Sequence, residues 1–292
     1  MTAYPEGREL KDHVIRFCKE NGADIVGFAP VERWDEAGEV PPAFRPQAIF
    51  PQARTVIVMA MSMPLPVVET TPSALHKEVY ETTNRQLDNL AVELTRYLNR
   101  MGQASFPFTR DTYTSMRALR EENMAAFGHV TAAKYAGLGT IGMSHCLLTP
   151  EFGPRVRFVS VFTAAQIPAD QLQPGELCIS CGLCASLCPK NAIRPREDGI
   201  IGDYDKTACL KMHEELVARR SHPCGVCTKV CPIGKDRLLY KSKGSRKKYV
   251  EEKDTLAINP DDPEYQSWTH IRKYGVAHKS GSAVSGKGEK DG

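Results

Sequence analysis

No apolar run in this chain approaches the roughly 20 residues that a membrane-spanning helix needs, so the sequence offers no candidate span and no membrane partner. Nor does it open like a secretory leader. The first eight residues are polar, and the first apolar face belongs to an amphipathic helix. That absence points to a reducing, cytoplasmic setting, where cysteines remain thiols or bind metal rather than pair as disulfides. Charge is nearly balanced, at a formal +3, and names no partner by itself. Internal repeats are absent too, apart from two short cysteine motifs.

Cysteine is what the chain has: 10 in 292 residues, eight of them between Cys178 and Cys231. Cys178, Cys181, Cys184, Cys188 and Pro189 spell C-x2-C-x2-C-x3-C-P. Cys209 follows, then Cys224, Cys227, Cys231 and Pro232 as C-x2-C-x3-C-P. The first spacing is that of bacterial ferredoxins, in which the fourth cysteine ligates the other cluster of a pair. Applied here, Cys178, Cys181, Cys184 and Cys231 hold one [4Fe–4S] cube, and Cys188, Cys209, Cys224 and Cys227 hold the other. Zinc ribbons also use paired C-x2-C. Three cysteines in a row at x2 spacing, with two C-P endings, fit zinc poorly. Cys18 and Cys146 are left over; their apolar neighbours suggest core positions.

The cluster module needs only residues 173–240, so something larger precedes it. We expect three regions: a domain over 1–172, a dicluster ferredoxin-like domain over 173–240, and a basic tail over 241–292 with a disordered end. The run Lys235, Arg237, Lys241, Lys243, Arg246, Lys247 and Lys248 faces only Asp236. It reads as a solvated surface, or as a docking site for an acidic electron donor or nucleic acid. Periodicity predicts helices over 9–21, 83–101 and 115–135 and strands over 23–29, 55–61 and 155–163. Strands separated by helices argue for an α/β domain.

Residues 136–142 contain G-x-G-x-x-G, with Gly137, Gly139 and Gly142 as its glycines. A dinucleotide fingerprint needs a strand before it and an acid about 20 residues on. Here a helix precedes it and no acid follows. Two readings stay open: a turn passing close to a flat ligand or cluster, or a helix end capped by Gly137.

The order of these motifs resembles the family of epoxyqueuosine reductases and reductive dehalogenases. The resemblance covers about residues 10–233. It is carried by the stretches 22–30 and 51–58, by Tyr80 and Asn84, and by Ala136-Gly137-Leu138-Gly139. Leu148-Thr149-Pro150-Glu151-Phe152-Gly153 and both cysteine blocks complete it. It implies an α/β, cobalamin-binding, reductive-dehalogenase-like N-terminal domain followed by a two-cluster ferredoxin-like domain. Gly137, Leu138, Gly139 and Gly142 would lie beside the cobalamin, whose own base would leave the cobalt. Two departures stand out: the chain lacks the helical-repeat extension that holds tRNA, and it has no twin-arginine signal. It therefore resembles the short cytoplasmic branch.

A low-potential cluster pair reducing cobalt would need a proton source. The family keeps an acid upstream of the glycine loop, where this chain offers Asn123 with Glu121 and Glu122 beside it. His129 is the leading candidate donor, since its ordinary pKa suits neutral pH. Glu122, Tyr80, Asp111 and Tyr113 follow. The first functional reading is a cobalamin-dependent reductase of a small organic substrate, fed by a ferredoxin or flavodoxin. The second is an electron-transfer protein serving a cofactor on a partner. The third is a tRNA queuosine-modification reductase.

Overall fold

The computed structural model describes residues 4–110, 121, 125–259, 262 and 271. Helix α1 (Gly7–Glu20) buries Leu10, Val14 and Cys18 at helical spacing. The chain then reverses into strand β1 (Ile25–Pro30). Strand β2 (Thr55–Ser62) is buried along all but its last residue, as a central strand covered on both faces must be.

The long helix α2 runs over Ala74–Arg100, starting nine residues before its apolar stripe. Ser73 caps it by accepting the His76 N–H at 3.0 Å. Strand β3 (Ser105–Phe108), helix α3 (His129–Tyr135) and strand β4 (Val156–Thr163) complete this half. Of the expected helix over 115–135, residue 121 and His129–Tyr135 are helical, residues 125–128 are a non-helical link that ends at the N-cap Gly128, and 115–120 and 122–124 lie outside the described residues.

Helices and strands alternate as expected, but the four-stranded sheet, in the order β1-β2-β4-β3, pairs antiparallel throughout. One face carries Ala29, Val58, Phe158 and Phe162 against α3 and Trp34. The other packs Phe28, Ile57, Met59 and Val161 onto Leu87, Leu94 and Leu98 of α2 and Leu10 and Val14 of α1. Each fully buried side chain of this kind contributes about 1.5–3 kcal/mol. Among the described residues no helix is long and apolar enough to cross a membrane.

The cysteine-rich half is built from short pieces. Helix α4 (Leu183–Ser186) and helix α6 (Val226–Val230) carry the two motifs. Helix α5 (Lys206–Ala218) lies between them, capped by Asp205, whose carboxylate accepts the Ala208 N–H at 2.9 Å. Helices α7 (Asp236–Leu239) and α8 (Ser245–Ile258) follow. The start of the basic stretch is thus a packed helix. Tyr249 and Leu256 of α8 cover Leu183 and Val230, and Lys229 pairs with Glu252 in the interior at 2.7 Å.

Arg155 clasps the two halves together. Its side chain is fully buried and forms a two-pronged pair with Asp236, at 2.6 Å from Nε and 2.7 Å from Nη2. It also donates to the carbonyls of Cys231 at 3.1 Å and Ile233 at 2.5 Å. Backbone N–H groups of Lys235 and Asp236 donate to Pro150 and Glu151, at 3.1 and 2.9 Å. The stretch from Thr149 to Arg155 is therefore the seat of the cluster module.

Candidate functional site

Each cysteine motif places a glycine directly after the cysteine that precedes its short helix. Gly182 follows Cys181 at φ 72°, and Gly225 follows Cys224 at φ 66°. That left-handed turn is open to glycine at little cost. It reverses the chain so that the next cysteine, on the short helix, faces back toward the first.

Cys178, Cys181, Cys184 and Cys231 line one small cavity, roofed by Gly142, Met143 and Ser144 from the N-terminal half. The fourth wall comes from the second motif, and Cys188 is absent from the lining. The other thiols are neighbours too: Cys188 and Cys209 both act on Cys224, and Cys224 and Cys209 on Cys227. Ala192 directs its N–H at the Cys188 sulfur, 3.3 Å away. Among the described residues no three His, Cys, Asp or Glu side chains converge as the ligands of a single ion would. Thiols ringing a space suit a multi-atom cluster.

Burial pushes the thiols up, Cys184 to about 11 and Cys231 to about 12, with neighbouring cysteines adding to the rise at Cys184. Negative charge here needs a cationic partner, which iron supplies while displacing the protons.

Cys146 was expected in the core and lies within reach of thiols of both sets. It hydrogen-bonds Cys227, and its charge reaches Cys184 and Cys231 on one side and Cys209 on the other. The Cys227 bond, with burial opposing and Ser144 and Arg157 assisting, holds Cys146 down at about 6. Arg157 is a second feature that periodicity missed. Its guanidinium lies 4.5 Å from the Tyr80 ring centroid, and its Nε donates to buried Asn84 at 3.0 Å. The available signal was a lone charge inside an otherwise apolar strand.

A larger cavity of about 570 Å³ opens between the two halves. Trp34, Phe44, Gly128 and Thr131 line it from one side, and Tyr204, Lys206, Cys209 and His213 from the other. Its volume is within the range of cofactor and small-molecule sites. The Tyr204 hydroxyl bonds Cys209, and its ring stacks on His145 with centroids 4.9 Å apart. Burial lowers His213.

The expected glycine contacts are occupied by the chain itself. Gly137 donates to Lys134 and Leu138 to Ala133, a left-handed helix end of the Schellman type. A Cβ on Gly139 would stand 1.9 Å from the Leu148 carbonyl oxygen, and one on Gly137 2.0 Å from that of Gln171. Of the three glycines, Gly142 comes near a cluster cysteine, with a Cβ position 3.6 Å from the Cβ of Cys178. Leu138 is buried. A valine at position 139 would therefore disturb the loop rather than probe a ligand.

Of the expected proton donors, Tyr80 and His129 are among the described residues, both within reach of Arg157. Asp111, Tyr113 and Glu122 lie outside the described residues, as does Asn123. Tyr80 sits under Arg157, and Glu121 is exposed. His129 is half-buried, edge-on to Phe108 and Phe127, with Nδ1 2.9 Å from Ser160 Oγ. Burial lowers it to about 4, with Arg157 and Arg110 assisting, so it is neutral at physiological pH and poorly suited to donate. An unfolded histidine takes up a proton that this one refuses between about 6.5 and about 4. Stability from this group is thus full above that window and lost as pH falls through it. Between about pH 7 and pH 5 the His129→Asn variant should lose about 2 kcal/mol less than the parent chain in urea unfolding. Equal losses would mean that His129 titrates normally.

Residues 177–262 match the family described as the 4Fe-4S dicluster domain. A tetrachloroethene reductive dehalogenase of Desulfitobacterium hafniense is 25% identical over 249 residues, spanning 79% of this chain and 41% of that protein. An epoxyqueuosine reductase of Gloeobacter violaceus is 24% identical over 281 residues, spanning 83% of this chain and 80% of that one. Among solved structures, a catabolic reductive dehalogenase in complex with 3-bromo-4-hydroxybenzoic acid superposes with a TM-score of 0.58 at 19% identity, over 87% of this chain and 37% of that one. The chain has their fold. It is similar to both enzyme groups, and it spans about two-fifths of the length of the dehalogenases it matches.

Proposed function

We propose that this chain is an iron–sulfur and cobalamin-dependent reductase of the epoxyqueuosine reductase type, acting on a small organic substrate in the cytoplasm. The observation that carries the reading is the position of Cys209, a cluster thiol that is also a wall of the 570 Å³ cavity between the halves. Electrons held behind Cys209 would be one side chain away from whatever fills that cavity. In this reading the domains are 1–172 for cobalamin and 173–240 for the clusters, with α8 as a buttress.

Two [4Fe–4S] clusters are assigned to the swapped sets, Cys178, Cys181, Cys184 and Cys231, and Cys188, Cys209, Cys224 and Cys227. Tyr204 would hydrogen-bond the Cys209 sulfur, a lever that raises cluster potential. Cobalamin, when bound, supplies a cobalt centre that takes those electrons and carries out the reductive step. Trp34, Val40, Pro41 and Phe44 give its site a dry wall. The glycine loop supports that wall from behind, through Gly137 and Gly139. Lys206 and His213 line the cavity and can bring a proton to its contents. Arg157, packed on the Tyr80 ring, would favour negative charge at Cys146.

The test is a cobalamin-binding experiment on the cluster-loaded chain. Cob(II)alamin should stay bound through gel filtration and give the electron paramagnetic resonance spectrum of cobalt without its own base. A Gly128→Trp variant, which puts an indole into the cavity, should abolish binding and keep the iron. Clusters without corrin retention in the parent chain would make it the electron carrier instead.

A further inference from the structure

Three of the large exposed apolar side chains lie close to the cysteine loops. Ile179 is 65% exposed, Leu238 72% and Leu239 75%. Ile179 stands between two thiols of the first set and lines their cavity. Leu238 and Leu239 stand on α7, whose Arg237 donates to the Cys231 carbonyl at 3.0 and 2.7 Å. Arg246 reaches from α8 to the Cys181 carbonyl at 2.6 Å. Both apolar groups therefore border the loops that carry Cys178, Cys181 and Cys231.

Exposed charge around α7 is mainly positive, although the exposed Glu151 lies beside it, its carbonyl accepting the Asp236 N–H. Lys235, Lys241 and Lys243 are exposed. Asp236, the acid of this stretch, is turned inward onto Arg155 with 9% of its side chain exposed. Nearly two turns into α8, Glu251 lies 3.7 Å from Lys247. An apolar centre with a cationic rim matches the layout of a protein interface that steers its partner by charge. A phosphate backbone would make no use of the bare leucines.

We propose that this face docks an acidic ferredoxin-type electron carrier, which passes electrons to the cluster held by Cys178, Cys181, Cys184 and Cys231. The proposal rests on the two-cluster reading above. One electron leaves the carrier's reduced centre and enters the oxidised cube; no proton or bond moves.

The test uses the full chain with its clusters loaded and an acidic plant-type ferredoxin as the probe. Two variants are compared with the parent: Leu238→Asp with Leu239→Asp, and Lys235→Glu with Lys241→Glu and Lys243→Glu. Electron exchange is followed by cluster bleaching, once with ferredoxin and once with methyl viologen. Each variant should lose roughly tenfold or more in rate with ferredoxin at low salt and keep its rate with viologen. The parent's ferredoxin rate should fall as salt rises. Parental ferredoxin rates in both variants would overturn the site, as would a parent that exchanges with viologen and not with ferredoxin. Loss of salt-sensitive tRNA binding in the lysine variant, with ferredoxin exchange intact, would assign the face to RNA and overturn it too. A parent with no bleachable cluster would overturn the cluster reading and this proposal with it.

Discussion

Replacing Arg155 by methionine is expected to destabilise the chain by about 3–5 kcal/mol, the cost of stranding one partner of a buried ion pair. Asp236 would be left nearly buried without its cation, and the Cys231 and Ile233 carbonyls would lose their donors. The effect should fall on the docking of the two halves, because those groups belong to the cluster module and Arg155 to the sheet. Urea unfolding of the variant measures the loss. Adding Asp236→Leu should recover part of it, since an apolar pair can replace a buried salt bridge. A single-variant loss under about 1 kcal/mol would mean that the halves are held elsewhere.

The second large effect concerns the cluster ligands. Cys188→Ser together with Cys209→Ser should lower the iron content by half and leave one intact cubane. Both residues belong to the same set in the swapped assignment. If each motif held its own cluster, Cys188 and Cys209 would serve different cubes, and the double variant would lose both. The cavity lined by Cys178, Cys181, Cys184 and Cys231 argues for the first outcome. Iron and sulfide assays on the single and double variants separate the two. A double variant with no cluster left contradicts the swap.

These residues also show why some of the architecture was legible and some was not. Cysteine spacing encodes its loop directly, because x2 and x3 set how tightly the chain must turn around a cavity. The apolar stripe Leu87, Leu90, Leu94 and Leu98 announced a helix. Its first nine residues went unread because His76 and Tyr80 face polar partners rather than the apolar core. Antiparallel pairing was not readable: register depends on which distant strands meet, and alternation of elements says nothing of that. The stretch from Thr149 to Arg155 looked distinctive without a visible reason. Its reason lies across the fold, in Ile233, Lys235 and Asp236.

The candidate site divides in the same way. The cysteine-rich cluster module was legible, and the surroundings of the other candidate residues were not. His129 has the pKa of a useful acid only in water, and burial removes that property. The glycine loop carried a motif whose close approaches are to Leu148 and Gln171. Cys146 sat between leucines and a histidine in sequence and within reach of thiols of both sets in space. Lys206 and His213 reach the cavity only because α5 folds against the N-terminal half.

The most direct measurement is a count of metals per chain. The full-length protein, loaded anaerobically with iron, sulfide and cobalamin and then desalted, should retain about eight iron, about eight sulfide and about one cobalt. About four iron, or none, would contradict the two-cluster assignment, and the full iron with no cobalt would contradict the cobalamin-dependent reductase.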